Sequence, residues 1–262
     1  MKLLLIAISA LLLLPNFFKV HLEDTPQYDY KELFNPGLAY INSTEKLIEV
    51  ADSIANKNKI ADRSFGYALT VSHILRNRFY HGFSRYPLNQ NWIAASGEYF
   101  FGYGLASIVK ADDILKYNFG GCSQQAIVLI EVMKRKNIPY RFVGFPHHYA
   151  TELRFGNNWY YFDPNMEPNI PDHERIESKW YCCADSLKKY YDTSHFKDLD
   201  WKFGKNKSLI IGKVNAPPAP HAALFQTTTK YLSKTLWLFP LILVFYRRKK
   251  VTDNTKFFTP GN

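Results

Sequence analysis

Residues 122 to 163 constrain the fold more than any other stretch, because the period of their apolar residues changes from helical to extended. The segment "SQQAIVLIEVMKRK" after Cys122 repeats apolar side chains every three or four positions and ends in cations. That pattern is typical of an amphipathic helix whose dipole favours cations in its last turn. Asn137 and Pro139 predict where the helix ends.

Extended segments follow this helix. "YRFVGF", "HYATELRF" and "NWYYFD" are rich in aromatic and β-branched residues, which predicts three strands. Gly156 and Asn157 separate the last two and suit a two-residue hairpin turn. "SLIIGKV", residues 208 to 214, is a candidate for a further strand.

The chain before residue 122 has mainly helical patterns. "STEKLIEVADSIANKNK" begins with a cap-like Ser43 or Thr44 and places its apolar residues on one helical face. "DRSFGYALTVSHILRNRFY", "WIAASGEYFFGYGLASIV" and "KADDILKY" also favour helices. We therefore predict an α+β fold, with a helical N-terminal layer and the helix after Cys122 packed on an antiparallel β-sheet.

Both ends of the chain are apolar. Residues 1 to 21 hold one early Lys, a run from Leu3 to Leu14 and then Pro15, the pattern of a signal peptide or an N-terminal anchor. "TLWLFPLILVFYRRKK" predicts a transmembrane helix in residues 230 to 250 with a basic cytoplasmic flank. The protein would then be membrane-anchored with an extracytoplasmic body, periplasmic or at the cell surface. A peripheral amphipathic tail or a partly buried terminal helix is the alternative.

The remaining residues suffice for one folded domain, since roughly 200 of them lie between the two ends. We expect its helical N-terminal part in residues 22 to 110 and its core in residues 111 to 214. A Pro- and Thr-rich linker in residues 215 to 229 would connect the core to the C-terminal segment.

The net charge of +10 is concentrated at the ends. Between Glu23 and Thr229 there are 24 Lys and Arg against 22 Asp and Glu, whereas the two ends hold 9 against 1. Such a distribution is typical of membrane flanks, and no basic stripe marks the body as a nucleic-acid binder. We therefore expect a membrane, and no nucleic acid, among the partners.

The chain has three cysteines, Cys122, Cys182 and Cys183. The last two fit a helix that buries small side chains, with a strained bond between them as the alternative. Cys122 follows Gly120 and Gly121 at a helix start, where the dipole and unpaired amides lower the pKa of a thiol and can hold an oxyanion. By itself this pattern also fits a packed side chain.

The predicted hairpin supplies two polar residues that can act together with the Cys122 thiol. His148 begins one strand and Asp163 ends the next, so a two-residue turn places both on one face, with Asp163 opposite Ala150. An Asp that binds one ring nitrogen fixes the tautomer and leaves the other nitrogen for a thiol. Cys122, His148 and Asp163 are therefore the candidate catalytic residues for nucleophilic catalysis.

Residues 110 to 168 resemble the transglutaminase-like superfamily, a papain-related group. That group has a Gly-x-Cys-type helix start, a helix ending in an x-Ile-Pro-x-Arg turn, a His-to-Glu segment and a Trp-x-x-x-Asp-Pro segment. The matching residues are Cys122; Ile138, Pro139 and Arg141; His148 and Glu152; and Trp159, Asp163 and Pro164. The resemblance implies a papain/transglutaminase-like fold with Cys122 as nucleophile and His148 as base.

Three positions depart from the family pattern or are ambiguous. Ala150 stands where the family often has an aromatic residue. His147 is a second candidate base, although the strand phase favours His148. The family's oxyanion partner is a side chain upstream of the Cys, for which Trp92 and Gln90 are both available.

The resemblance implies acyl transfer. Cys122 would attack a carboxamide or peptide carbonyl, His148 would protonate the leaving nitrogen, and water or an amine would resolve the thioester. Hydrolysis and cross-linking both stay open, with hydrolysis favoured. The expected partner is a protein or peptide substrate, and no cofactor or metal is expected.

Three other interpretations remain. In the first, the chain is a non-catalytic binding or assembly module of the same fold. In the second, His148 and Asp163 are ordinary strand residues. A metal site is the third, although no CxxC or HxxxH spacing supports it and adjacent strand residues point to opposite faces. Its candidate ligands are Cys122, His147, His148, and one of Cys182, Cys183 or His173.

Overall fold

A computed structural model describes residues 1–30, 32–181, 183–192, 198–204 and 209–254 of the chain. Within these residues the fold is mixed, with ten α-helices and a four-stranded antiparallel sheet, which confirms the predicted α+β class. The chain forms two compact units. The larger consists of Thr25–Ser84 and Ile108–Pro220, and the smaller of Met1–Asp24, Arg85–Ser107 and His221–Asn262.

The helices are α1 Lys2–Leu13, α2 Thr44–Lys57, α3 Phe65–Arg78, α4 Leu88–Phe101, α5 Ala111–Ile114, α6 Cys122–Arg135, α7 Glu177–Trp180, α8 Leu199–Phe203, α9 Pro220–Thr235 and α10 Leu238–Asn254. Helices α2 to α6 follow the predicted segments, with different bounds in several cases, whereas α7 and α8 were not predicted and α9 begins in the predicted linker. Ser43 caps α2, because its hydroxyl accepts from the N–H of Lys46 at 3.2 Å. After α6, Asn137 takes a left-handed φ of 56° and turns the chain toward the sheet.

The sheet has the order β3-β2-β1-β4 and lies in the larger unit. Its strands are β1 Tyr140–Phe145, β2 His148–Phe155, β3 Asn158–Phe162 and β4 Ile210–Ile211. Phe155 pairs with Asn158, which confirms the two-residue turn, and Gly156 adopts the positive φ of 60° that such a turn requires. β4 is shorter than the predicted strand, and residues 205 to 208 lie outside the described part.

The two faces of the sheet are covered by different elements. We call the face with Phe145, His148 and Ala150 the His148 face, and it packs on a cluster that includes residues of α7 and α8. The opposite face, here the Tyr149 face, carries Phe142 and Tyr149. Helices α6 and α3 cover it; the ring of Phe65 in α3, for example, lies 5.4 Å from that of Phe162.

The smaller unit contains α1, α4, α9 and α10. Asn91 breaks the helical geometry inside α4, with φ −155° and ψ 77°. Its buried amide donates to the hydroxyl of Thr229 at 2.9 Å and accepts from that of Ser233 at 3.1 Å. Most of the predicted linker is therefore helical, because α9 begins at Pro220 and is tied to α4 by these polar contacts.

The predicted transmembrane helix is wrong. Among the described residues, no helix combines the length and the apolar character that a bilayer crossing needs. The predicted segment of residues 230 to 250 is divided between two helices, since α9 ends at Thr235 and α10 begins at Leu238. The apolar run from Leu236 to Tyr246 therefore starts in the turn between them and continues in α10. The predicted membrane-anchored localisation is corrected by the same finding. A signal peptide in residues 1 to 21, which contain α1, stays a prediction, and the side chains of residues 247 to 250 lie outside the described part.

Candidate active site

Cys122 is the first residue of α6 and is buried, with 8% of its surface exposed. The glycine before it allows a close aromatic contact, because a Cβ on Gly121 would lie 2.6 Å from the ring of Phe83. Gly120 has no such constraint, since a Cβ there would meet its nearest neighbours at 3.4 Å. Gly121 is therefore the position where glycine is needed beside the thiol.

A buried glutamine holds the turn in front of Cys122. The carbonyl of the Gln124 side chain accepts from the N–H of Gly121 at 3.1 Å and from that of Ser84 at 2.9 Å. Its amide donates to the carbonyls of Ser84 and Ile108, both at 2.8 Å. Three of the four contacts join the start of α6 to neighbouring loops and the fourth closes the turn before Cys122. Together they hold the first-turn N–H groups of the helix in a fixed position as candidate oxyanion donors.

His148 and Asp163 form a buried pair on the His148 face of the sheet. The His148 Nε2 lies 2.7 Å from the Asp163 Oδ2, and the two side chains are 1% and 0% exposed. The other ring nitrogen, Nδ1, is left for the thiol of Cys122, which is hydrogen-bonded to the His148 side chain. The structure thus brings the three predicted residues together in the order thiol, imidazole, carboxylate.

The environment of Cys122 favours the thiolate. Burial alone would raise the pKa of the thiol, but a hydrogen bond from His148, the charge of that imidazolium and the backbone N–H of Tyr149 outweigh it. The net result is a Cys122 pKa below its ordinary value. A thiolate next to an imidazolium is the form that attacks a carbonyl.

The pKa values of His148 and Asp163 are also shifted, each in the direction that favours the charged form of the side chain. Burial would lower the pKa of His148, but the charge of Asp163 and hydrogen bonds to Asp163 and Cys122 raise it to about 9. Burial would raise the pKa of Asp163, but the charge and hydrogen bond of His148 lower it. The site therefore favours a charged imidazolium between two anions at neutral pH.

Two tyrosines that sequence reasoning missed hold the carboxylate in place. The hydroxyl of Tyr191 donates to the Asp163 Oδ2 at 2.7 Å, and the hydroxyl of Tyr161 lies 2.7 Å from that of Tyr191. The other oxygen, Oδ1, accepts from the backbone N–H groups of Asn165 and Met166, both at 3.2 Å. The three donors to Asp163, from Tyr191, Asn165 and Met166, favour the ionised carboxylate, which makes Tyr191 a candidate positioning residue.

For the catalysis that the sequence predicts at Cys122, we expect Tyr191→Phe to lower kcat about tenfold and to move the acid limb of the pH profile upward, because Asp163 loses one donor to its charged form. The measurement is kcat against pH for the variant and for Tyr190→Phe, the matched neighbour. A loss of stability with an unmoved acid limb would show that Tyr191 has only a packing role.

The segment after Asp163 is a tightly bound loop. The side chain of Arg175 is 3% exposed and forms an ion pair with Glu167, which is 0% exposed, at 2.7 Å. Arg175 also donates to the carbonyls of Ile170, Tyr161 and Pro168 at 3.2, 3.0 and 2.9 Å. Because the N–H of Asp163 reaches the Glu167 carboxylate at 3.3 Å, this network supports the backbone of the candidate site.

The other residues of the family resemblance form a second polar group on β1 and β2. The Arg141 guanidinium binds the buried Glu152 at 2.6 Å and Glu177 of α7 at 2.6 Å, and it lies 4.4 Å from the ring of Trp159. Burial raises the pKa of Glu152 to about 7, although Arg141 opposes the shift. This group joins the sheet to α7 and makes no contact that would assign it to the catalytic chemistry.

The second candidate base and the two candidate oxyanion side chains have surroundings of their own. His147 is exposed and stacks on Trp201 with ring centroids 3.9 Å apart, so it is not the ring that binds Asp163. Trp92 donates its indole N–H to the Ser233 carbonyl at 3.0 Å within the smaller unit. Gln90 lies in α4 of that unit and is half-buried.

Cys183 does not have the buried side chain that the sequence predicts for it. Cys183 is exposed and precedes a 3₁₀ helix at Ala184–Tyr190, while Cys182 lies outside the described residues. The side chain of His173 is 76% exposed. In the described part of the chain, no group of three or more His, Cys, Asp or Glu is placed to hold a metal ion.

Comparison with known proteins gave no match: no protein-family model, no curated protein and no solved structure corresponds to this chain.

Proposed function

We propose that the chain is a transglutaminase-like cysteine enzyme that transfers the acyl group of a peptide or carboxamide substrate to water or an amine through Cys122. The observation that carries this proposal is the buried His148, which binds the Cys122 thiol on one side and Asp163 on the other. A packed, unreactive cysteine needs neither a charged imidazole nor a buried carboxylate behind that imidazole.

The fold is consistent with the same proposal. The nucleophile helix α6 is followed by an antiparallel sheet in which His148 begins β2 and Asp163 directly follows β3. This is the arrangement that the family resemblance implies. The papain/transglutaminase-like fold is therefore part of the proposal.

The proposed reaction has two steps. The Cys122 thiolate attacks the carbonyl carbon, the S–C bond forms as the C–N bond breaks, and the leaving nitrogen takes the proton of His148. Amide donors at the start of α6 stabilise the negative charge on the carbonyl oxygen. His148, now neutral, removes a proton from water or an amine, which attacks the thioester and releases Cys122.

The test is the pH dependence of Cys122 alkylation by iodoacetamide in the full chain. Because Cys182 and Cys183 would also react, both are replaced by Ser, and Cys122→Ala in that background is the control. We expect the midpoint of the rate profile to lie below the ordinary thiol value of about 8.5, because His148 stabilises the thiolate. We also expect an electrophilic glutamine peptide to label Cys122.

A midpoint at or above the ordinary thiol value, together with no labelling by the peptide, would contradict the proposal. That outcome would favour a non-catalytic binding or assembly module. The midpoint decides the question better than the absolute rate, because burial of Cys122 slows every reagent at every pH.

A further inference from the structure

A cavity of about 300 Å³ lies along α6, the helix that begins with the candidate nucleophile, within the larger unit. Its volume is at the lower end of the range of about 300–1,000 Å³ that is typical of small-ligand pockets. The residues that line it are Val109, Ser123, Ala126, Ile127, Ile130, Phe142, Tyr149, Pro218 and Ala219. None of them is charged, so the cavity suits an uncharged, apolar group.

The cavity runs along α6 from the thiol. Ser123, Ala126, Ile127 and Ile130 are spaced three or four residues apart and share one face of the helix. Ser123 directly follows Cys122, and seven residues of helix from Ser123 to Ile130 cover roughly 10 Å. One end of the cavity is therefore lined by the residue that follows the nucleophile, and the other end lies two turns along the helix.

The sheet determines which part of a substrate can enter. Phe142 and Tyr149 line the cavity and belong to the Tyr149 face, while His148 projects from the opposite face. Cys122 lies between them, because its sulfur contacts both the His148 side chain and the Tyr149 backbone N–H. The leaving nitrogen must be on the His148 side, since it takes its proton from that ring. The acyl part, which stays on the sulfur, is then on the Tyr149 side.

We propose that this cavity binds an apolar side chain on the acyl part of the substrate, next to the scissile carbonyl. This inference rests on the proposed function and deepens it, because it assigns a substrate class to the site. Leucine-like and phenylalanine-like residues have the size and the lack of charge that the lining favours. Lysine and glutamate side chains would lose their hydration there without a partner.

The first test compares peptide vinyl sulfones that differ only in the side chain beside the electrophile. The thiolate adds to the activated double bond, the new S–C bond forms, and the adjacent carbon takes a proton. We expect the leucine probe to label Cys122 at least about tenfold faster than the lysine and glutamate probes. Equal rates for the three probes would overturn the pocket and leave the proposed function standing.

Two variants change the volume of the cavity in opposite directions. Ala126→Leu fills the cavity. We expect it to lower the ratio of the leucine-probe labelling rate to the alanine-probe labelling rate by about tenfold. Ile130→Ala enlarges the cavity and should raise the preference for a naphthylalanine probe. Lys134→Ala, on the same helix but outside the cavity, should change neither preference. The alanine probe reports whether each variant is folded and reactive.

The second test requires no reaction and therefore separates failure of the pocket from failure of the proposed function. In Cys122→Ala, N-acetyl-leucine amide should shift the methyl NMR signals of Ile127 and Ile130, and N-acetyl-lysine amide should not. Equal shifts with both amides, or no shift with either, would overturn the pocket. If every vinyl sulfone labels Cys122 slowly but the leucine amide alone shifts the NMR signals, the enzymatic proposal is contradicted and the pocket stands.

Discussion

Turnover by His148→Ala is expected to fall by about 10³-fold or more, because the variant lacks both the proton donor and the partner that holds the thiolate. Burial has the largest effect on the Cys122 pKa and raises it. The hydrogen bond and the charge of His148 lower that pKa, and both are lost in this variant. We therefore expect the alkylation midpoint of Cys122 to move upward by about two pH units. Iodoacetamide rate profiles and acyl-enzyme formation, followed by mass spectrometry, measure both effects.

His147→Ala is the matched control for this experiment. The two histidines are neighbours, but His147 is exposed and stacked on Trp201, whereas His148 is buried between Cys122 and Asp163. The control should keep the wild-type midpoint and turnover. If His148→Ala retains turnover within tenfold of the control, the proposed catalytic role of His148 is wrong.

Arg175→Met is expected to lower the free energy of unfolding by about 3–5 kcal/mol at pH 8, because it leaves the Glu167 carboxylate buried without its cation. Three backbone carbonyls also lose their donor. The loss should be smaller at pH 5. Without Arg175 the folded-state pKa of Glu167 rises further above its unfolded value, so the folded variant takes up a proton as the pH falls.

Urea unfolding of the full chain at the two pH values measures this effect. Arg135→Met is the matched control, since its ion pairs with Glu45 and Glu131 are partly exposed and should contribute less than about 1 kcal/mol. Adding Glu167→Gln to Arg175→Met should recover part of the loss at pH 8. A loss that is equal at both pH values, with no recovery in the double variant, would mean that packing alone explains it.

The hairpin was predictable because its geometry is local. The turn at Gly156 and Asn157 fixes the register of two strands, and the register fixes which residues share a face. This reasoning requires no knowledge of the rest of the fold. It placed Asp163 opposite Ala150, one position beyond the observed pair of Thr151 and Phe162. The helix after Cys122 was predictable for the same reason, since its apolar spacing and its stop signals are both contained in one segment.

The support of Asp163 was not predictable, because it depends on distant residues with no local signal. Tyr191 is 28 positions further along the chain, and its contact with Asp163 depends on how the segment after β3 packs. Arg175 sits in a polar, Pro-broken stretch that is equally typical of a surface loop. The C-terminal segment of residues 230 to 250 was predicted wrongly for a different reason, because composition alone does not reveal the break between α9, which ends at Thr235, and α10, which begins at Leu238.

The position of His148 and Asp163 on neighbouring strands also orders the assembly of the site during folding. The two residues are 15 positions apart and are joined by a tight hairpin, so their pairing closes only a short loop. Cys122 reaches His148 only when α6 docks on the sheet, which adds a longer loop and more apolar burial. A nascent or partly folded chain therefore carries an ordinary thiol, and the reactive thiolate arises only with the completed domain.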